Sequence, residues 1–275
     1  MNELFFTKMH ALGNDFVVLD TIRQSVTITP EFIRHIANRH RGVGCDQVLL
    51  LTPTENPAAD FGYRIFNADG NEVYQCGNGA RCMGLFIQSE NLSEKKIIYL
   101  ATRHHVMRVA CLPLNQIEVD IAIPNFNPAS LPFITTEKAA PYHLQLSKHH
   151  IIFDVVNVGN PHCIIRVENE VADDIIDIGK QLNEHPVFPQ GVNVGFVYVQ
   201  SRDAIKLNVY ERGVGLTEAC GSGACAAVAI GRYAGYLNET VTVHQAGGLL
   251  RVTWPSDDAM IQLQGSATIV FRGVW

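Results

Sequence analysis

FNADGNEVYQCGNGARC, residues 66–82, recurs in altered form as YERGVGLTEACGSGACA, residues 210–226. Both stretches contain Cys-Gly-x-Gly-Ala, and their cysteines, Cys76 and Cys220, lie 144 positions apart. Nine residues before each cysteine stands a polar residue, Asn67 in one stretch and Glu211 in the other. Upstream, Gly13-Asn14 in LGNDF matches Gly159-Asn160 in VGNPH at an offset of 146, and at that offset Gln47 falls on Asn193. Gly-Asn pairs are common turn signals, so one match carries little. Three matches in the same order at nearly one offset point to a duplicated domain.

Each cysteine stretch has the same local reading. FGYRIF (61–66) and IKLNVY (205–210) alternate and are rich in aromatic and β-branched residues, so both predict strands. Each strand runs out at Asn67 or Glu211 into a glycine-containing loop. A helical stretch follows each cysteine. The second, GACAAVAIGRYAGYLN, is apolar nearly all round, as expected of a helix buried in a domain centre; the first, GARCMGLFIQSE, reads as shorter. Each cysteine therefore sits where a loop enters a helix. The positive end of the helix dipole there binds carboxylates and lowers a thiol's pKa. Cys82 lies six residues after Cys76 and Cys225 five after Cys220, spacings that share no helix face with the first thiol, so both read as packing residues.

Composition narrows the class. The 275 residues are 47% hydrophobic and 17% charged, which is globular and long enough for two domains. The net charge of -6 and the lack of any Lys/Arg run make nucleic acid and anionic membrane surfaces poor partners. No segment approaches the ~20 apolar residues of a spanning helix, and the first sixteen residues lack the apolar stretch of a secretory signal, so a cytoplasmic enzyme is expected. The seven cysteines (Cys45, Cys76, Cys82, Cys111, Cys163, Cys220, Cys225) are an odd number without a C-x-x-C pair, which argues against a disulfide framework and against zinc.

Two thiols in equivalent halves suggest a reaction. Inverting a carbon stereocentre means removing a proton from one face and returning one to the other. A thiolate and a thiol can serve as base and acid at one pH, because cysteine titrates near ~8.5 and is readily shifted. An amino-acid carboxylate held at two helix starts would stabilise the enolate-like charge that develops.

The segments MHALGNDF, FNADGNEVYQCGNGARC, VGNPHC and YERGVGLTEACGSGACA resemble those of the diaminopimelate epimerase family, in order and spacing along essentially the whole chain. The resemblance implies an α+β fold of two pseudo-symmetric halves, each a mostly antiparallel sheet curled around a central helix. The halves would be residues 1–120, joined by a strand at 266–275, and residues 121–265, with the active site in the cleft between them. It implies an isomerase that interconverts LL- and meso-2,6-diaminopimelate for lysine and peptidoglycan, with no pyridoxal phosphate, metal or other cofactor, and a homodimer.

Cys76 would donate and Cys220 accept the proton in the LL-to-meso direction. Gly77 and Asn78, with Gly221 and Ser222, would hold the α-carboxylate. Asn67, Asn160, Asn193 and Arg212 would hold the far end of the substrate, where a second carboxylate suits an arginine fork. Asn14 and Gln47 would complete the pocket. His162 and Glu211 would lie close to the thiols and set protonation, Glu211 also touching substrate. Taken singly, Asn14 and Asn67 read as turn formers, His162 as a core histidine, and Glu211 and Arg212 as solvated charges; the repeated frame favours ligand contact.

Three departures stand out: two histidines in ATRHHVMRV (101–109), Cys45 in GCDQ, and Phe271 where relatives often carry a tyrosine linked to dimer contacts. A proline or hydroxyproline racemase would share the thiols but needs no partner for a second carboxylate, a place Arg212 fills. A phenazine-biosynthesis-type isomerase would lack the cysteine pair. A non-catalytic redox sensor would show no turnover in either redox state.

Overall fold

The alternation at residues 61–66 and 205–210 matures into two long strands, and the chain around each repeats the same sequence of elements. A computed structural model of the chain describes residues 3–73, 76–135, 140–169 and 174–275; Tyr74 and Gln75, just before Cys76, lie outside them. The chain divides into two compact units, Met1–Asp120 with Gln264–Trp275, and Ile121–Leu263.

The first unit contains β1 (Phe5–Ala11), β2 (Asn14–Asp20), α1 (Pro30–Ala37), β3 (Gln47–Thr52), β4 (Phe61–Asn67), β5 (Glu72–Val73), α2 (Gly77–Ser89), β6 (Ile97–Ala101), β7 (Val106–Leu112) and β8 (Gln116–Asp120). The second contains β9 (Tyr142–Gln145), β10 (His150–Asn157), β11 (Pro161–Val167), α3 (Ile175–Asn183), β12 (Asn193–Ser201), β13 (Ala204–Glu211), β14 (Gly215–Thr217), α4 (Gly221–Tyr233), β15 (Thr240–Gln245) and β16 (Gly248–Thr253). The last strands are β17 (Gln262–Ser266) and β18 (Thr268–Val274), and β18 pairs antiparallel with β1 in the first unit.

The pairing repeats as the sequence does. In the first unit β1–β2 is antiparallel, β2–β3 parallel, β3–β4 antiparallel, β4–β6 parallel and β6–β7 antiparallel. In the second, β10–β11, β11–β12, β12–β13, β13–β15 and β15–β16 follow the same series. A parallel pair needs a crossover; α1 and α3 supply it for the first parallel pair of each unit, and α2 and α4 for the second. Even the register repeats: Gln47 lies opposite Phe16, and Asn193 opposite His162, each at the start of its parallel pair.

Each unit wraps its sheet around one helix. Residues Asn78–Ile87 of α2 are buried against β1, β2, β3, β7 and β8, and α4 packs on β10 to β13 and β16. Both helices have 13 residues, so the first is not the shorter one. The run Ala224–Gly231 of α4 is wholly buried, and its small side chains let strands close in from all sides. A second apolar layer in the same unit stacks Phe133 on Phe188 at 4.9 Å and sets Tyr142 edge-on to Phe133 at 4.9 Å. Each buried aromatic of this kind contributes roughly 1.5–3 kcal/mol.

Candidate functional site

Cys76 and Cys220 are the N-cap residues of α2 and α4. Both have extended backbones (φ -152°, ψ 102° and φ -125°, ψ 108°), and each sulfur accepts the N–H three residues on, from Gly79 at 3.2 Å and Gly223 at 3.4 Å. Ser, Thr, Asp and Asn are the effective N-caps, so a weakly accepting thiol at both positions is a choice for chemistry over stability. Neither helix has an acidic residue in its first turn to cancel the positive end of the dipole. The second glycine of Cys-Gly-x-Gly follows from the cap: a methyl group on Gly223 would lie 2.8 Å from Val209 and 3.3 Å from the Cys220 sulfur. Cys82 and Cys225 are fully buried, and burial pushes the Cys82 thiol far up.

The upstream asparagines meet the residue two past each cysteine. In the first unit the Asn78 amide donates to Asn14 Oδ1 (3.3 Å), Asn14 donates to Asp46 (3.0 Å), and the buried Arg81 donates to Asn78 Oδ1 (2.9 Å). In the second unit Asn160 donates to Ser222 Oγ (3.2 Å), and Ser222 Oγ lies 3.6 Å from the Cys220 sulfur. Gln47 donates to Asn67 Oδ1 at 2.8 Å, and its own Oε1 is buried without a partner among the described residues. Asn193 spends its amide on the main chain, donating to the Pro161 carbonyl and accepting from the Arg212 N–H, both at 3.0 Å. The exposed Arg212 guanidinium donates to the Gln190 carbonyl at 3.1 Å.

Electrostatics separate the side chains of the second unit. Burial, then the Glu211 charge, hold the Cys220 thiol well above the usual range. Burial likewise raises the Glu211 carboxyl, against the opposing hydrogen bonds from Thr217 Oγ1 at 2.6 Å and from Cys220. Thiol and carboxylate thus compete for one proton. His162 is fully buried with Nε2 2.9 Å from Asn160 Oδ1. Because Asn160 uses its NH2 on Ser222, its oxygen faces the ring, so Nε2 carries the hydrogen and Nδ1 is a bare, buried acceptor without a partner among the described residues. Burial, helped by the Arg212 charge, pushes this imidazole down to about 3, so it is neutral at neutral pH.

The structure therefore gathers Asn14, Gln47, Asn67, Cys76, Gly77 and Asn78 in the first unit. Asn160, His162, Asn193, Glu211, Arg212, Cys220, Gly221 and Ser222 lie in the second.

Among known families, the model for "Diaminopimelate epimerase" matches residues 6–124 and 154–270, which span both cysteine segments. The chain belongs to the diaminopimelate epimerase family. It is 47% identical to a diaminopimelate epimerase of Teredinibacter turnerae over 270 residues, covering 98% of each chain. It is 45% identical to one of Halorhodospira halophila over 268 residues, 98% of this chain and 93% of that one.

Solved structures share the fold at low identity. One is a hydroxyproline epimerase from Agrobacterium vitis (TM-score 0.71, 16% identical, 99% of this chain and 92% of that one). Another is a PhzF-family phenazine biosynthesis protein from Bacillus anthracis (TM-score 0.70, 17% identical, 100% and 99%).

Within this diaminopimelate epimerase family member, two neighbours of Cys220 escape sequence reasoning. Thr217 reaches Glu211 from the short strand β14. Gln245, at the end of β15, grips the Cys220 peptide from both sides: its Oε1 accepts the Cys220 N–H (3.1 Å) and its Nε2 donates to the Cys220 carbonyl (3.3 Å). That clamp fixes the cap dihedrals and so the direction of the sulfur. Only a pairing register could have revealed either contact.

His162 carries a pH signature. Between its ordinary 6.5 and about 3 the unfolded chain binds a proton that the folded chain refuses, so stability is full above 6.5 and falls as pH drops through that window. The contribution is at most about 5 kcal/mol. Denaturant titrations from pH 7 to 4 should show a shallower fall for His162→Gln than for the parent; equal slopes would remove His162 from the account.

Proposed function

We propose that the chain interconverts LL- and meso-2,6-diaminopimelate without a cofactor, using Cys76 and Cys220 as an acid–base pair. The observation that carries this reading is the placement of both thiols as N-caps of equivalent helices, in a chain of this family. In the LL-to-meso direction the Cys220 thiolate takes the α-proton: the C–H bond breaks, an S–H bond forms, and the electron pair is delocalised into the α-carboxylate. The Cys76 thiol then delivers its proton to the opposite face and is left as thiolate. The reverse reaction exchanges the roles.

The helix starts at Gly77 and Asn78, and at Gly221 and Ser222, hold the α-carboxylate, where N–H groups and dipole favour the growing negative charge. Asn67, Asn160, Asn193 and the Arg212 guanidinium take the distal carboxylate and ammonium, with Asn14 and Gln47 completing the pocket. The orphaned Gln47 Oε1 and His162 Nδ1 suit the substrate's ammonium groups, since each is a buried acceptor waiting for a donor. Glu211 takes the Cys220 proton before the attack and releases it to solvent after turnover, while the Cys76 thiolate regains a proton from solvent.

We also place the reaction in the cytoplasm, in lysine and peptidoglycan precursor synthesis. We assign two copies to the working protein, on the ground that β18 exposes Val270, Phe271 and Val274; the mass in solution tests this.

The test of function is LL-diaminopimelate in deuterated water with no added cofactor. Deuterium should enter the α-carbon as the meso isomer forms. Racemisation of L-proline with no reaction of diaminopimelate would refute the substrate assignment.

A further inference from the structure

Tyr63 lies on β4 four residues before Asn67, so period-two alternation puts both on one face of the strand. Its ring is 1% exposed, and its hydroxyl is buried without a hydrogen-bond partner among the described residues. The hydroxyl approaches the first turn of α2 at Gly79, the residue whose N–H the Cys76 sulfur accepts. A methyl group on the α-carbon of Gly79 would lie 2.4 Å from the Tyr63 oxygen and 3.4 Å from the Cys76 sulfur. The Gly79 N–H already points at that sulfur, at 3.2 Å.

A buried hydroxyl with no acceptor is costly, and phenylalanine would fill the same space without the cost. Retaining the oxygen makes physical sense if an acceptor appears in another state of the site. The phenol cannot itself supply a charge: burial, then the neighbouring Cys76 and Cys82 side chains, hold its ionisation well above the ordinary value, so it remains a donor. The group beside it that changes from poor to strong acceptor is the Cys76 sulfur, when it loses its proton. We infer that Tyr63 is a positioning residue for the reaction, donating its hydroxyl to the thiolate of Cys76 and stabilising it.

The second unit makes the opposite provision. Four residues before Glu211 stands Leu207, a buried side chain with nothing to donate. The residue nine before the cysteine is there the carboxylate Glu211, which accepts a hydrogen bond from the Cys220 thiol and opposes its ionisation. A donor beside Cys76 favours its thiolate and the Glu211 charge beside Cys220 favours its thiol, the pairing that starts the meso-to-LL direction; in the LL-to-meso direction Glu211 first takes the Cys220 proton.

The inference rests on the reading of Cys76 as an acid–base thiol, and the test separates the two. Tyr63→Phe should lower kcat roughly ten- to a hundredfold in both directions, the size of a lost hydrogen bond to a charged sulfur, with KM within about twofold. Iodoacetamide alkylation of Cys76, followed by peptide mass mapping, should slow at pH 7, and its pH profile should move to higher pH. The melting temperature should hold or rise, because an orphaned hydroxyl has been removed; a merely structural tyrosine would lower it and leave the alkylation profile in place. Full kcat in Tyr63→Phe, or a lower kcat with an unmoved profile, overturns the inference. Cys76→Ser is the reference: a dead Cys76→Ser beside a fully active Tyr63→Phe overturns Tyr63 alone, whereas an active Cys76→Ser overturns the reading of Cys76 as well.

Discussion

Cys220→Ser and Cys76→Ser are each expected to lower epimerisation by roughly a hundred- to ten-thousandfold, the usual range for removing a general acid or base. The exchange replaces one atom. A serine hydroxyl titrates far above a thiol, so it can neither wait as an anion to take the α-proton nor give its own proton up readily. Geometry is preserved, because each side chain is an N-cap accepting the N–H of Gly79 or Gly223. Serine is a better cap than cysteine, so both variants should melt at or above the parent temperature. Loss of turnover with retained or increased stability is the signature of a residue kept for its chemistry. Full activity in either variant would refute the two-thiol mechanism, and a lost fold would refute the capping account.

The frame of this protein was legible because its signals are local. Cys-Gly-x-Gly-Ala before an apolar run announces a helix start within a few residues, and the alternation of IKLNVY announces β13. Repetition then turned weak signs into strong ones: Gly-Asn is an ordinary turn, but Asn14 and Asn160 each reach the residue two past a cysteine, Asn78 and Ser222.

What stayed hidden depends on register. Gln245 reaches Cys220 across 25 residues because β15 pairs in parallel with β13, and Tyr63 reaches Gly79 of α2 from β4 across 16 positions. No spacing rule in the chain encodes such contacts. The equal lengths of the two helices follow from where α4 stops: it ends at Tyr233, ahead of Gly235 in the left-handed region (φ 80°), so the GYLN that follows lies outside the helix although it continues the apolar run.

Glu211→Gln should move activity and stability in opposite directions. The carboxyl is buried between the Thr217 hydroxyl at 2.6 Å and the Cys220 thiol, and burial raises its proton affinity above the usual 4.5. Folded protein therefore keeps a proton here that the unfolded chain has released, and stability falls as pH rises through the folded value. Glutamine has nearly the same shape, still accepts from Thr217 through Oε1, and never ionises. Its melting temperature should match the parent below pH 4.5 and exceed it increasingly as pH rises. Turnover should fall by roughly a hundredfold or more, because an amide cannot take the proton that Cys220 must shed before it can attack the α-hydrogen. Thermal melts from pH 4 to 8, run beside epimerisation rates, read both effects. A destabilised but active Glu211→Gln would mean that the carboxylate only holds β14 in place; a stabilised, inactive one fits a buried base whose charge costs stability and serves the thiol.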